Sequence, residues 1–280
     1  MTTLSNRVII TDMIITIDYE KAYLDFKSQL HTAAKATQTR INKVLAITSM
    51  LEKARHSDAP EAAELVDECI KSQESEMRKL AALNTNVVWF TSEELLPELL
   101  VNVANLRDAA EIIDAAKLIE SITAECCATA NTRNTLRFEA QEGNHTVGIG
   151  EKVFTLAVMN MIQNAFRYAL PATTIDVTVE GKLVGERIFV SIVVANQTSE
   201  SLKAKGESDE YAKLGRPLVC RIAECYGGSF DYIEVGSKVI ANLTLPLRSR
   251  PTTNKLGFSS RFNEYMQEKY SLVNMFMTDI

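Results

Sequence analysis

The side chains able to do chemistry are few and dispersed. The three histidines are His31, His56 and His145; no two of them share helical spacing, and with so few a His/Cys zinc set cannot be drawn. No metal is expected. Five cysteines, Cys69, Cys126, Cys127, Cys220 and Cys225, form an odd set without a C-x-x-C pair and fall in stretches that read as helix. A reduced, cytoplasmic chain is the expectation. The carboxylates are the one strongly uneven feature. Residues 58–125 hold fifteen Asp and Glu against five Lys and Arg, a local net of −10 within a chain whose total is −6. A solvated helix face is one reading of that acidity. The other is a docking surface for a basic partner, presented by Glu64, Asp67, Glu68, Glu93, Glu94 and Glu98.

The 280 residues are 46% hydrophobic and 24% charged, which excludes a disordered tail and gives room for one large domain or two modest ones. The acidic balance excludes direct binding of nucleic acid as the main activity. The apolar run after the N-terminus is short and Asp12 interrupts it, so neither a leader nor a membrane span is drawn.

These side chains must be positioned by a long helical part followed by a mixed part. Residues 7–17 hold two β-branched runs around Thr11 and Asp12, which predicts two short strands. From Asp18 to about Arg55 there is no Pro or Gly, and Leu30, Ala34, Thr37, Ile41, Val44, Thr48 and Leu51 step by three and four. A turn at His56–Pro60 leads to a second such run through Val66, Cys69, Gln73, Met77, Leu80, Asn84 and Val87. Two long helices with a short turn make an antiparallel hairpin. Its seam carries Thr37, Thr48, Gln73 and Asn84, too polar for a hairpin alone. A second copy would complete a four-helix bundle, so a homodimer is expected, with Ile41, Val44, Leu51, Val66, Ile70 and Leu80 at the interface. The alternative is a bundle closed within the chain by a helix near residues 94–105.

Residues 91–131 read as helical throughout, and the first part, 91–112, is an acidic segment of its own. Then the pattern alternates. A strand is expected at 136–140, a helix at 150–169, and strands at 174–180 and 187–195, parted by Glu180-Gly181-Lys182 and Gly185. A polar loop follows over 197–213, a helix over 217–226 closed by Gly227-Gly228, and strands at 230–235 and 238–246. The tail from Arg248 ends in an amphipathic stretch, Phe258, Phe262, Tyr265, Met266, Tyr270, Val273 and Phe276. It is expected to dock on its own domain, with a partner-binding helix as the sharper reading.

Over residues 113–247 the sequence resembles the ATP-binding domain of histidine kinases and the wider GHKL ATPases. Residues 154–169, with Asn160, Asn164 and Arg167, are similar to the family's N box. The resemblance implies that Asn164 would bind Mg²⁺ and that Arg167 would approach phosphate. Residues 214–228 resemble the helix after the ATP lid, and 229–247 the closing strands. The departures lie elsewhere. Asn196 stands at the position of the adenine-reading aspartate. Thr198 and Glu200 replace glycines, and Glu210–Lys213 replaces the glycine-rich phosphate loop, leaving Gly215. Side chains at those positions take up nucleotide room, and Glu200 would repel bound phosphates. The phosphoacceptor histidine's place holds Lys35–Thr39, with His31 one turn earlier.

The expected protein is therefore α+β, a long helical hairpin followed by a degenerate GHKL-type sandwich. Its divisions are N-terminal strands over 1–17, the hairpin over 18–90, the acidic segment over 91–112, the ATPase-like part over 113–247 and the tail over 248–280. Asn160, Asn164, Arg167, Asn196 and Gly215 are expected to be vestigial, with no cofactor and no catalytic residue. The expected role is an inactive homodimeric scaffold that binds and modulates a protein. That partner is either a response regulator or a basic nucleic-acid-binding enzyme inhibited through the acidic face. The alternatives are a Mg-ATP-binding GHKL ATPase or kinase, or a histidine phosphotransferase using His31.

Overall fold

The computed structural model describes residues 7–10, 13–16, 19–56, 61–91, 112–130, 132–198, 214–248 and 272–277, with backbone alone before Lys27. Strands β1 (Arg7–Ile10) and β2 (Met13–Thr16) pair antiparallel, Arg7 opposite Thr16. They precede the two long helices, α1 (Tyr19–Arg55) and α2 (Ala62–Phe90), which pack along each other as the hairpin.

Small side chains let these helices approach. Ala33, Ala36, Leu51 and Ala54 of α1 are buried, as are Cys69 and Ala82 of α2. Polar residues are satisfied inside the seam: Gln73 Nε2 donates to Thr48 Oγ1 at 3.0 Å, and Arg40 Nη1 donates to Glu76 Oε2 at 2.6 Å. Lys79 Nζ approaches the other carboxylate oxygen at 3.1 Å. The large apolar residues instead face outward, with Ile41, Leu45 and Met50 on α1 and Leu65, Ile70 and Met77 on α2 exposed.

The second part is a five-stranded sheet with helices on one face. Its strands are β4 (Thr135–Ala140), β6 (Thr174–Val184), β7 (Arg187–Gln197), β8 (Ser229–Val235) and β9 (Lys238–Pro246), in the order β4-β6-β7-β9-β8. Only β4 and β6 run parallel; the other neighbours are antiparallel. A separate pair, β3 (Ile112–Asp114) and β5 (Thr146–Gly148), lies beside it. The helices are α3 (Ala115–Thr129), α4 (Glu151–Tyr168), α5 (Gly215–Cys225) and the short α6 (Leu272–Phe276).

Burial of α4 is the feature that organises the fold. Every residue from Val153 to Ile162 is buried, so this helix is covered on all sides rather than along one stripe. The sheet covers one side through Val177, Val190, Ile192 and Val194. Away from the sheet it is covered by α3, α5 and α6, and α2 reaches it through the Asn86–Asn160 pair. Each large apolar side chain so buried contributes roughly 1.5–3 kcal/mol. The core therefore runs from the sheet through α4 into the end of the hairpin.

Several expectations are corrected. Residues 112–114, read as helix, are strand, because Ile113 pairs with Val147 and the helix starts only after Asp114. Asp114 caps it, its Oδ1 accepting from Lys117 N at 3.3 Å. The strand Thr146–Gly148 was not expected at all. The break at Glu180-Gly181-Lys182 does not occur: the ladder runs on to Val184 opposite Arg187. The turn falls instead at Gly185-Glu186, with Gly185 at φ 61°, the geometry of a glycine-first two-residue hairpin. The lid helix starts at Gly215, two residues before Pro217. Its C-terminus is as expected, with Gly227 at φ 73° and Gly228 N donating to Ala223 O at 2.8 Å, an αL stop. The tail docks on the chain itself at 272–277. Residues 92–111, which include the proposed closing helix, the loop 199–213 and the tail over 249–271 lie outside the described residues.

Candidate functional site

Helical spacing puts Asn160, Asn164 and Arg167 on one face of α4, each about one turn from the next. The first turn of α5 crosses this face, and so does the last part of α2. The two crossings divide the region into two clefts that share Asn164.

The first cleft lies between α4, α5 and the sheet. Asn164, Val194, Asn196, Arg216, Val219, Phe230, Tyr232 and Ala241 are among its lining residues, so Asn164 and Asn196 are brought together as the resemblance implies. The space inside is about 10 Å³, enough for the centre of one water. Arg216 closes it from the side, its Cζ standing 3.4 Å from the centre of the Tyr232 ring. Burial pushes the Tyr232 phenol up, against the pull of Arg216. Asn196 is buried, and its Nδ2 donates to Gln197 O at 3.4 Å. Thr198, also buried, donates its backbone N–H to Ser237 O at 2.7 Å. The described lining is narrowed by the stacked Arg216 and Tyr232, and an amide stands where a carboxylate would read an adenine amino group.

The second cleft is larger, about 60 Å³, and polar. It gathers Asn160, Asn164, Arg167 and Gly215 with Lys79 and Asn86 of the hairpin and Met275 of the tail. Asn86 and Asn160 exchange side-chain hydrogen bonds, Asn86 Nδ2 to Asn160 Oδ1 and Asn160 Nδ2 to Asn86 Oδ1, both at 3.1 Å. Asn160 Nδ2 also donates to Leu156 O at 2.9 Å. Thus the first asparagine of the N-box-like run is committed to a neighbouring helix. Gly215 is required here by close approach, since a Cβ at that position would stand 2.7 Å from Asn160 Oδ1. It therefore has a packing role that needs no phosphate.

A third contact ties the hairpin to α5. Arg221 Nη1 donates to Phe90 O at 2.6 Å, and its guanidinium lies 4.1 Å from the centre of the Phe90 ring. The cation thus sits at the C-terminal, negative end of α2, where the last carbonyls lack partners within the helix. Burial holds the Arg221 guanidinium below its ordinary value.

All five residues singled out by the resemblance are therefore near α4, Asn160, Asn164, Arg167 and Gly215 in the second cleft and Asn196 with Asn164 in the first. His31 is exposed on α1 and lines neither cleft, and Thr37 and Thr39 donate to the backbone of Ala33 and Lys35. Glu64, Asp67 and Glu68 are exposed along α2. Glu93, Glu94, Glu98 and Glu200 lie outside the described residues. Of the interface set, Ile41 and Ile70 are exposed, Val44, Val66 and Leu80 are half-buried, and Leu51 is buried within the hairpin. Among the described residues no three His, Cys, Asp or Glu side chains cluster as a metal site, and no helix is long and apolar enough to cross a membrane. Sequence reasoning missed Lys79, Asn86, Phe90, Gln163, Arg221 and Met275. A signal existed: the run from Val153 to Met159, apolar but for Thr155, demanded a second cover for α4.

No family model and no curated protein matches the chain. Solved structures do. It is similar to the Acinetobacter baumannii histidine kinase AdeS at 14% identity, over 76% of this chain and 97% of that one, with a TM-score of 0.48. The catalytic domain of histidine kinase ThkA matches at 20% identity over 49% of this chain and 95% of its own, with a TM-score of 0.38. Full-length ShkA in complex with AMPPNP matches at 16% identity over 78% of this chain and 46% of its own, with a TM-score of 0.48.

Proposed function

We propose that this chain is a histidine-kinase-like scaffold that acts by binding another protein and carries out no phosphoryl transfer. The observation that carries the reading is the narrow cleft shared by Asn164 and Asn196, with space of about 10 Å³ and with Arg216 stacked on Tyr232 in its wall. The commitment of Asn160 to Asn86 supports it, because that amide would have to change partners for the N-box face to serve a ligand. So does the replacement of the acidic and glycine positions by Asn196 and Thr198.

The scaffold is a homodimer in this reading. Ile41, Leu45, Ile70 and Met77 form an exposed apolar stripe along both hairpin helices, and a second hairpin would bury it. Glu64, Asp67 and Glu68 stand exposed on α2 and present an acidic face to a partner with a basic surface, either a nucleic-acid-binding enzyme or a response regulator. One observation favours a second reading, a Mg-ATP-binding GHKL protein: Asn160, Asn164, Arg167 and Gly215 do line one polar cleft.

A melting experiment separates the two. A ligand that binds only the folded chain must raise the melting temperature at saturation. Millimolar Mg-ATP is expected to leave it unchanged, and a rise that Asn164→Ala abolishes would overturn the scaffold reading. Light scattering at micromolar concentration is expected to return a dimer mass, and Ile70→Glu with Met77→Glu a monomer. A monomer for the unaltered chain would refute the bundle. The acidic face is tested by purifying a basic partner on the chain and on Glu64→Gln/Asp67→Asn/Glu68→Gln, with retention expected only on the unaltered protein.

A further inference from the structure

The end of the hairpin reaches α4 and α5 through two polar contacts, beside Ala82 and Phe90, which join the apolar core. Asn86 meets Asn160 through an amide pair, and Phe90 meets Arg221 through its carbonyl and ring. Such contacts contribute modestly, because water competes for the same groups when they separate. A further apolar seal comes from the tail. The short helix α6 lies against α2, α3 and α4, and it brings Val273, Met275, Phe276 and Met277, all buried, Val273 and Phe276 completely.

Its polar groups are fixed as well. Gln163 of α4 donates from Nε2 to Phe276 O at 2.6 Å, and Met277 N donates to Val273 O at 2.8 Å. Met275 forms a wall of the polar cleft beside Asn86, Asn160, Asn164 and Arg167. The segment therefore touches hairpin and sheet domain at once, from a position separated from Arg248 by residues 249–271.

We infer that Leu272–Met277 is a strap that clamps the end of the hairpin onto α4 and holds the polar cleft shut, and that strap and hairpin end open together as a unit less stable than the sheet. Few residues make the clamp. The gain from burying its apolar side chains is opposed by the entropy of ordering the segment, and the two are of similar size. A unit balanced in that way opens locally, below global unfolding. Opening would expose Asn164, Arg167 and an apolar groove on α4 together. The inference does not depend on whether the first cleft takes a nucleotide, and its test reads no ligand.

Native-state hydrogen exchange on the full-length chain decides it, with amides of residues 80–90 and 273–277 followed against those of β7 and β9. In the unaltered protein the two segments are expected to share one opening that is more frequent than opening of the sheet. Phe276→Ala is expected to raise the opening frequency of both by about a hundredfold or more, as loss of a buried aromatic ring does, and to leave β7 and β9 protected. Two results overturn the strap: residues 80–90 opening only with the sheet in the unaltered chain, or 273–277 exchanging freely in the variant while 80–90 stays protected. Should the variant lose all protection, the unaltered chain alone settles the matter through the first criterion.

Discussion

Glu76 lies at the centre of a largely buried charge cluster in the hairpin, and its removal tests how the seam is held. The side chains of Arg40 and Glu76 are 8% and 12% exposed and meet at 2.6 Å, with Lys79 at 3.1 Å on the other oxygen. Desolvation works to raise the Glu76 carboxyl, and hydrogen bonds from Arg40 and Lys79 outweigh it, so the group is held below its ordinary 4.5. Glu76→Gln keeps the shape and removes the charge, leaving two cations side by side in a place that water barely reaches. Breaking a buried pair in this way costs about 3–5 kcal/mol. Replacing the pair together, as Arg40→Met/Glu76→Leu, removes both desolvation penalties and is expected to fall within about 1 kcal/mol of the unaltered chain. Hydrogen exchange of the α2 amides around residue 76 reads the local effect, and denaturant unfolding the global one. The pH dependence has a definite sign. A carboxyl lowered on folding contributes stability above its unfolded value, and that contribution is lost as pH falls through the folded one. The difference between unaltered chain and Glu76→Gln should therefore shrink in acid. A single-variant cost below about 1 kcal/mol, or a double variant as unstable as the single, would refute the account.

Gly228→Ala should prevent folding of the α5–β8 corner, since a Cβ there would lie 1.7 Å from Thr244 O; the expected result is loss of the cooperative melt. Thr155→Val should stabilise the chain by about 1 kcal/mol in denaturant unfolding, because Thr155 Oγ1 is the one buried side-chain oxygen without a partner among the described residues. At pH 8 a thiol reagent should label exposed Cys127 first. Cys220 should lag, its thiol pushed up to about 11 by burial and by Glu224, and Cys126 should stay unlabelled, buried and raised further by desolvation.

The long elements were legible in the sequence because their signals are periodic and repeated. Thirty-seven residues of α1 carry a three-four step with no Pro or Gly to interrupt it, so the helix could be bounded at Arg55. The short pair β3–β5 was not, because three residues hold too little alternation to separate Ile112-Ile113 from the helical step of Leu118, Ile119 and Ile122. Asp114 was the available clue, a residue type favoured at an N-cap and placed one residue before α3. Gly181 misled for a different reason. A glycine can sit in extended backbone within a paired strand, and here Gly181 lies opposite Val190 with Glu180 and Lys182 paired on either side, which overrode the local weakness. At the candidate site, the sequence spacing of Asn160, Asn164 and Arg167 was enough to place them on one face. What faces them was illegible, since Asn86 and Met275 come from chain segments far away in sequence, and a pattern within one helix carries no record of its partner.

Gly215 shows how the same residue can be read in two ways and why geometry separates them. In a phosphate loop a glycine lets backbone amides wrap an anion. Here its missing Cβ makes room for Asn160 Oδ1, and that amide is held by Asn86 on a helix of another part of the chain. Retention of this glycine thus follows from the packing of α5, α4 and α2 alone. The same holds for the apolar N-box-like helix, whose outward side is covered by the hairpin and tail and would need cover with or without a nucleotide. Residues that resemble a ligand site can therefore persist as the joint between two halves of a scaffold. The joint itself is enough to hold them in place, whether or not the site takes a nucleotide.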